Sequence, residues 1–303
     1  MHPAGRMQTD DQEGATMSWK QMIMGVVLAT VLGATLFLAG CGVDMGPTQE
    51  LVIDEPLGSA AVTDVTMSMG AGKLSVQPGA TGLASGVILY NVAAWKPQVT
   101  RTDSSLSIKQ GSTKGLSGLG GDIVNDWDLK LGRTPMRLAI TAGAYEGTYE
   151  FGELSLQRLS IKDGASKSEV KFSGPNQSQM DSLSYETGAS SVSLGGLSYA
   201  NFKKMEFKGG AGSFTFNFDG TLRSDGSVSI EAGVGSVHII VPSTTAAEVV
   251  VKGSLTNVTY EGGWLAEGKT YHTPAAGPQT QGKLLTITVN MNVGSLSLTT
   301  NIE

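Results

Sequence analysis

The sequence predicts an all-β protein: a single-stack β-solenoid with rungs of about 22 residues and Gly-Ala-Gly corners, behind an N-terminal signal helix. Three observations carry this. A frame of apolar, any, apolar, two of any kind, Gly-Ala/Val-Gly/Ser, any, apolar, any, apolar recurs along the chain. Each half of the frame alternates with period two, the mark of a strand buried on one face. The 303 residues include 41 glycines but only 10 prolines, and 16% are charged, a composition of many corners and short strands.

Residues 1–40 read as an address. Lys20 precedes the apolar run QMIMGVVLATVLGATLFLAG at 21–40, and small residues lead into Cys41, the order of a secretory signal. Leu38-Ala39-Gly40-Cys41 resembles the lipobox of bacterial lipoproteins. The resemblance implies cleavage between Gly40 and Cys41 and a diacylglyceryl thioether on Cys41. An uncleaved membrane-spanning anchor is the alternative, because about 18 apolar residues can cross a bilayer. Met17 is an alternative start that leaves a compact leader. Either way the rest of the chain is expected outside the cytoplasmic membrane, at the membrane or cell envelope. Residues 41–60 show no apolar periodicity and are expected to form a flexible tether.

Residues 61–137 are expected to hold irregular N-terminal rungs, a cap, because the register breaks there. VTMSMGAGKLSV from Val65 keeps the frame loosely, and DWDLKLG at 126–132 alternates through Trp127, Leu129 and Leu131.

Residues 138–252 are expected to be regular rungs. LAITAGAYEGTY starts at Leu138, LSIKDGASKSEV at Leu159, LSYETGASSVSL at Leu183, MEFKGGAGSFTF at Met205 and VSIEAGVGSVHI at Val228. The starts are 21, 24, 22 and 23 residues apart. Aligned, Phe214, Val192, Val237 and Leu296 fall in one inward column, and Phe216, Leu194, Val170, Tyr149 and Ile239 in the next. Gly143, Gly164, Gly188, Gly210 and Gly233 share the corner, where a sharp turn needs positive φ or close backbone approach. About seven rungs at ~4.8 Å would stand roughly 30 Å tall. An antiparallel meander with GAG hairpins is the competing geometry. Residues 253–303 are expected to form an aromatic loop followed by a closing rung, ITVNMNVGSLSL from Ile287.

Chemistry is sparse. Cys41 is the only cysteine, which excludes an intrachain disulfide and cysteine-based zinc sites. A net charge of −6 without a dense basic run argues against nucleic acid as a partner. The GAGS corners lack the strand-to-helix context and the GK[ST] of phosphate loops. No serine-nucleophile signature accompanies the three histidines, and His238 falls on an outward rung position. Isolated charges at Glu146, Glu150, Lys167, Glu169 and Lys171 read as cross-strand pairs. No cofactor, metal or catalytic residue is therefore expected. Tyr260, Trp264, Tyr271 and His272 form a candidate binding loop; their alternative role is to cover the last rung.

The serial GAGS/GVGS corners, Tyr90-Asn91…Trp95-Lys96-Pro97, Asp126-Trp127-Asp128-Leu129 and Asn292-Val293-Gly294-Ser295-Leu296 resemble the bacterial toast-rack family. That family is related to the carboxy-terminal domain of LiaF-like cell-envelope stress proteins. The resemblance covers most of residues 60–303 and implies a β-solenoid of the envelope, with no functional residue to carry over. The expected function is a lipid-anchored, non-catalytic binding or scaffold module, with an envelope protein or polysaccharide as partner and the membrane engaged through the lipid. A LiaF-like stress sensor and a polysaccharide-active β-helix enzyme are the alternatives.

Overall fold

The computed structural model describes residues 45–112, 122–254, 257–276 and 282–301, which belong to one compact unit. The signal helix and Cys41 lie outside the described residues. In chain order the strands are β1 (Met45–Glu55), β2 (Thr63–Pro78), β3 (Ala84–Val92), β4 (Gln98–Arg101), β5 (Ser105–Lys109) and β6 (Asn125–Leu131). Then come β7 (Met136–Glu150), β8 (Leu156–Lys171), β9 (Met180–Gly195), β10 (Phe202–Asn217) and β11 (Gly226–Pro242). The chain ends in β12 (Ala247–Gly253), β13 (Asn257–Glu261), β14 (Leu265–Glu267), β15 (Thr270–His272) and β16 (Leu285–Asn301).

The repeated frame becomes one long strand with two arms. In β10, Met205 and Phe207 are buried on the first arm, and Phe214 and Phe216 on the second. Phe207 and Phe214 stand an odd number of positions apart, which in a straight strand would put them on opposite faces, so the chain must fold at the glycines for both sets to enter one interior. It does: the Phe207 ring lies 4.9 Å from both Phe214 and Phe216, centroid to centroid. β2, β7, β8, β9, β10, β11 and β16 stack in that order, each pair parallel, which rules out the antiparallel meander. Parallel stacking aligns like residues, and Phe216 accordingly pairs with Leu194 on one side and Ile239 on the other. The sheet does not close on itself.

The corner glycines divide two tasks that the sequence reading had merged. Gly209 pairs with Ala232 and Ala211 with Val234, while Gly210 and Gly233 stand outside the ladder. A Cβ on Gly210 would lie 2.5 Å from the carbonyl oxygen of Gly188, so close approach, not positive φ, requires this first glycine. Positive φ belongs to the second glycine of the motif, at +152° in Gly212 and +140° in Gly235.

Both ends depart from the expected order. Residues 41–60 are not wholly a tether, because β1 pairs antiparallel with β3 and buries Ile53. An edge strand needs cover on one face only, and one buried side chain leaves no legible period. β2 is a regular rung against β7, while the excursion after it adds β5 to its first arm and β6 to its second. At the far end β16 is not the terminal rung: it lies between β11 and a split rung made of β12 on one arm and β13 on the other. Its apolar positions are filled on both arms, whereas β13 is largely exposed, so burial favours β16 inside.

Candidate functional site

The predicted aromatic loop is mostly a lid. Trp264 is 4% exposed and Tyr271 9%, and both belong to the hydrophobic core. The half-exposed Tyr260, at 47%, packs its ring 5.4 Å from that of Tyr271. His272 Nδ1 lies 3.8 Å from Glu248 Oε2 across the β12–β15 pair. The split rung leaves apolar interior uncovered, and the large rings close it. The four residues do not assemble into an open platform. Trp95 is likewise fully buried. Gly40 and Cys41 lie outside the described residues.

The second arms of β9, β10, β11 and β16 present a hydroxyl-rich face. Ser191, Ser213, Ser236 and Ser295 align in one outward column, and Ser193, Thr215, His238 and Ser297 in the next. All eight are exposed or half-buried, and none carries a carboxylate, ammonium or guanidinium. Ser236 and Ser213 join through their hydroxyls at 3.1 Å, and His238 Nε2 lies 3.0 Å from Thr299 Oγ1. Successive rungs place equivalent hydroxyls about 4.8 Å apart, each able to donate and accept. The expected charge pairs on β7 and β8 do not form: Glu146 faces Lys167 and Glu150 faces Lys171 in register without an ion pair within 4 Å. Glu150 instead accepts from the backbone N–H groups of Gly152 and Ser173, at 2.7 and 3.0 Å.

Sequence reasoning missed a polar network where β7, β8 and β9 meet the corner. Asp163 occupies the column of Ala142, Thr187, Gly209, Ala232 and Met291, small or apolar neighbours for a carboxylate. Its Oδ2 accepts from Tyr185 Oη at 2.7 Å, Ser166 Oγ at 3.0 Å and Tyr145 Oη at 3.3 Å, and Thr187 Oγ1 donates to its Oδ1. Tyr149 and Ser168 donate to the Tyr145 hydroxyl at 2.9 and 3.2 Å. Burial pushes all three tyrosines above the ordinary phenol range, and for Tyr149 and Tyr185 the proximity of Tyr145 adds to it. The available signal was small: Gly147 and Ser168 hold the column that Val192 and Phe214 fill elsewhere, leaving room for the tyrosine rings.

Along the outside of the same corner runs an open groove of about 560 Å³, lined by Lys162, Glu186, Lys208, Glu231 and Asn290 above a floor that includes Gly210 and Gly233. Lys162 and Glu186 pair at 2.9 Å. Among the described residues, no group of three or more His, Cys, Asp or Glu side chains is placed to hold a metal ion. None of their helices is long and apolar enough to cross a membrane.

Residues 45–194 match the family model described as the N-terminal domain of toast_rack. No curated protein matches the chain. Among solved structures, it is similar to a candidate cell adhesion protein from Clostridium sporogenes, at 17% identity and a TM-score of 0.47, over 84% of this chain and 100% of that one. It is also similar to a candidate adhesin from Bacteroides fragilis, at 12% identity and a TM-score of 0.34, over 83% and 96%. A third is a candidate lipid-binding protein from Parabacteroides distasonis, at 10% identity and a TM-score of 0.30, over 84% and 96%.

Proposed function

Because the chain belongs to the toast-rack family through residues 45–194, we propose that it is a non-catalytic binding module displayed outside the cytoplasmic membrane and held there by a lipid on Cys41. The observation that carries the reading is the uncharged hydroxyl face on β9, β10, β11 and β16. Its hydroxyls sit on a parallel ladder with a packed core beneath, so they are held in place before a ligand arrives. A regular array of groups that both donate and accept matches a neutral, hydroxylated polymer, and a neutral polysaccharide of the envelope is the ligand class assigned to it. A polymer that spans several rungs gains affinity from many weak contacts. The anchor rests on Leu38-Ala39-Gly40-Cys41 and on Cys41 being the sole thiol.

A glycan array probed with the protein, beside a pull-down from intact envelopes, tests the reading. Retention on neutral polysaccharides supports it; retention only on proteins moves the partner to the other class, and silence on both removes the binding role. The anchor is tested by Cys41→Ala. Loss of lipid labelling and release from the membrane fraction are expected, and unchanged fractionation would refute it.

A further inference from the structure

We propose that the corner groove is the interface of a two-fold symmetric dimer of this chain. Lys162, Glu186, Lys208 and Glu231 occupy equivalent positions on β8, β9, β10 and β11, in register with one another. Each lines the groove, and their charges alternate along the stack. Such a ladder is complementary to its own reverse. A two-fold axis crossing the stack between the Glu186 and Lys208 rungs would set Lys162 against Glu231 of the partner subunit and Lys208 against Glu186 of the partner subunit, and the converse. Every position then meets an opposite charge, as an isologous interface requires. A parallel, in-register arrangement would instead set like against like, so the pattern also selects against the wrong orientation.

The surroundings favour the same occupant. An anionic or cationic polymer lying along the groove would meet repulsion at every second rung, which a second copy in reverse does not. Ala165, Ala189, Ala211 and Val234 follow on the same four rungs just beyond the corner glycines, and all are exposed. The same axis sets Ala165 against Val234 of the partner subunit and Ala189 against Ala211 of the partner subunit, apolar contacts in which the alanines leave room for two backbones to approach. The pair between Lys162 and Glu186 within one chain is half exposed, so its partners are exchangeable at little cost.

The test is sedimentation velocity of the full chain in mild detergent over a range of concentrations. The unaltered chain is expected to dimerise, more weakly at high salt. Lys208→Glu, which sets two carboxylates together at each of two symmetric positions, is expected to weaken the dimer roughly tenfold or more. Adding Glu186→Lys to the same chain exchanges the two charges and is expected to restore it. Lys162→Glu, with and without Glu231→Lys, repeats the logic at the outer pair should the first variant fold poorly, and far-UV circular dichroism reports folding in each case. A monomer at every concentration, a Lys208→Glu dimer as tight as the original, or no recovery in the exchanged chain would each overturn the proposal.

Discussion

The Tyr185 hydroxyl donates to Asp163 Oδ2 at 2.7 Å, joining two neighbouring rungs through a carboxylate set in a column whose other members are uncharged. With Tyr145, Ser166 and Thr187 donating to the same carboxyl group, Asp163 is the common acceptor of the network. Asp163→Ala removes the acceptor of the Tyr145 and Tyr185 hydroxyls beside the core, while Ser166 and Thr187 keep the Ser190 hydroxyl as a partner. The expected loss is about 2–4 kcal/mol, read from chemical denaturation, with Asp163→Asn retaining part of the stability because one oxygen remains.

The three tyrosines make the stack sensitive to alkali. Their folded pKa values are raised above the unfolded value of about 10, with burial as the main cause. A raised pKa contributes stability that is fully present below the unfolded pKa and declines as pH rises above it. Stability should therefore hold through neutral pH and fall from about pH 10 upward, as unfolding draws off protons that the folded state retains. Tyrosinate absorbance should appear together with the loss of circular dichroism; ionisation of all tyrosines before unfolding would contradict this.

Phe207 bridges the two arms of its rung and touches the rung before it through Tyr185, 5.7 Å between centroids. Phe207→Ala is expected to cost about 3–5 kcal/mol in denaturant melts. A loss below about 1 kcal/mol would show that the arms do not depend on this contact.

Gly210→Ala tests the corner. The position is exposed, where substitutions usually change stability by no more than about 0.5 kcal/mol. Here the added methyl would meet the Gly188 carbonyl of the rung beneath, so about 1–3 kcal/mol is expected. Thermal melts of this variant beside Ala211→Ser, at the exposed neighbouring position, separate the two cases.

Ser193→Glu together with Ser213→Glu places charge on the hydroxyl face without touching the core. Retention on neutral polysaccharides should fall strongly while the melting temperature stays nearly unchanged. Equal loss of both would assign the serines to folding instead.

The middle of the fold was legible because a parallel stack forces like residues into columns. Tyr149, Val170, Leu194, Phe216 and Ile239 could be aligned from spacing alone, and the ladder pairs them. The ends were not legible. β1 declares itself only through pairing with β3, and β16 has the same frame whether it closes the stack or lies inside it. Asp163 escaped notice because its partners are 18 to 24 residues away for Tyr145, Tyr185 and Thr187, and only register brings them together. Composition does not distinguish a lid from a platform, so the sequence left both roles open for the loop aromatics, and the burial of Trp264 and Tyr271 emerges only in the fold.

The position of β16 also constrains how the molecule can be made. The ribosome releases β12 and β13 before β16, yet β16 must come to rest between β11 and those earlier strands. A nascent chain therefore cannot simply add layers in the order of synthesis. It must hold the final slot open, or dock β12 temporarily on β11 and then release it. Losing the last segment would remove an inner layer, leaving a long unpaired edge on β11 open to neighbouring chains.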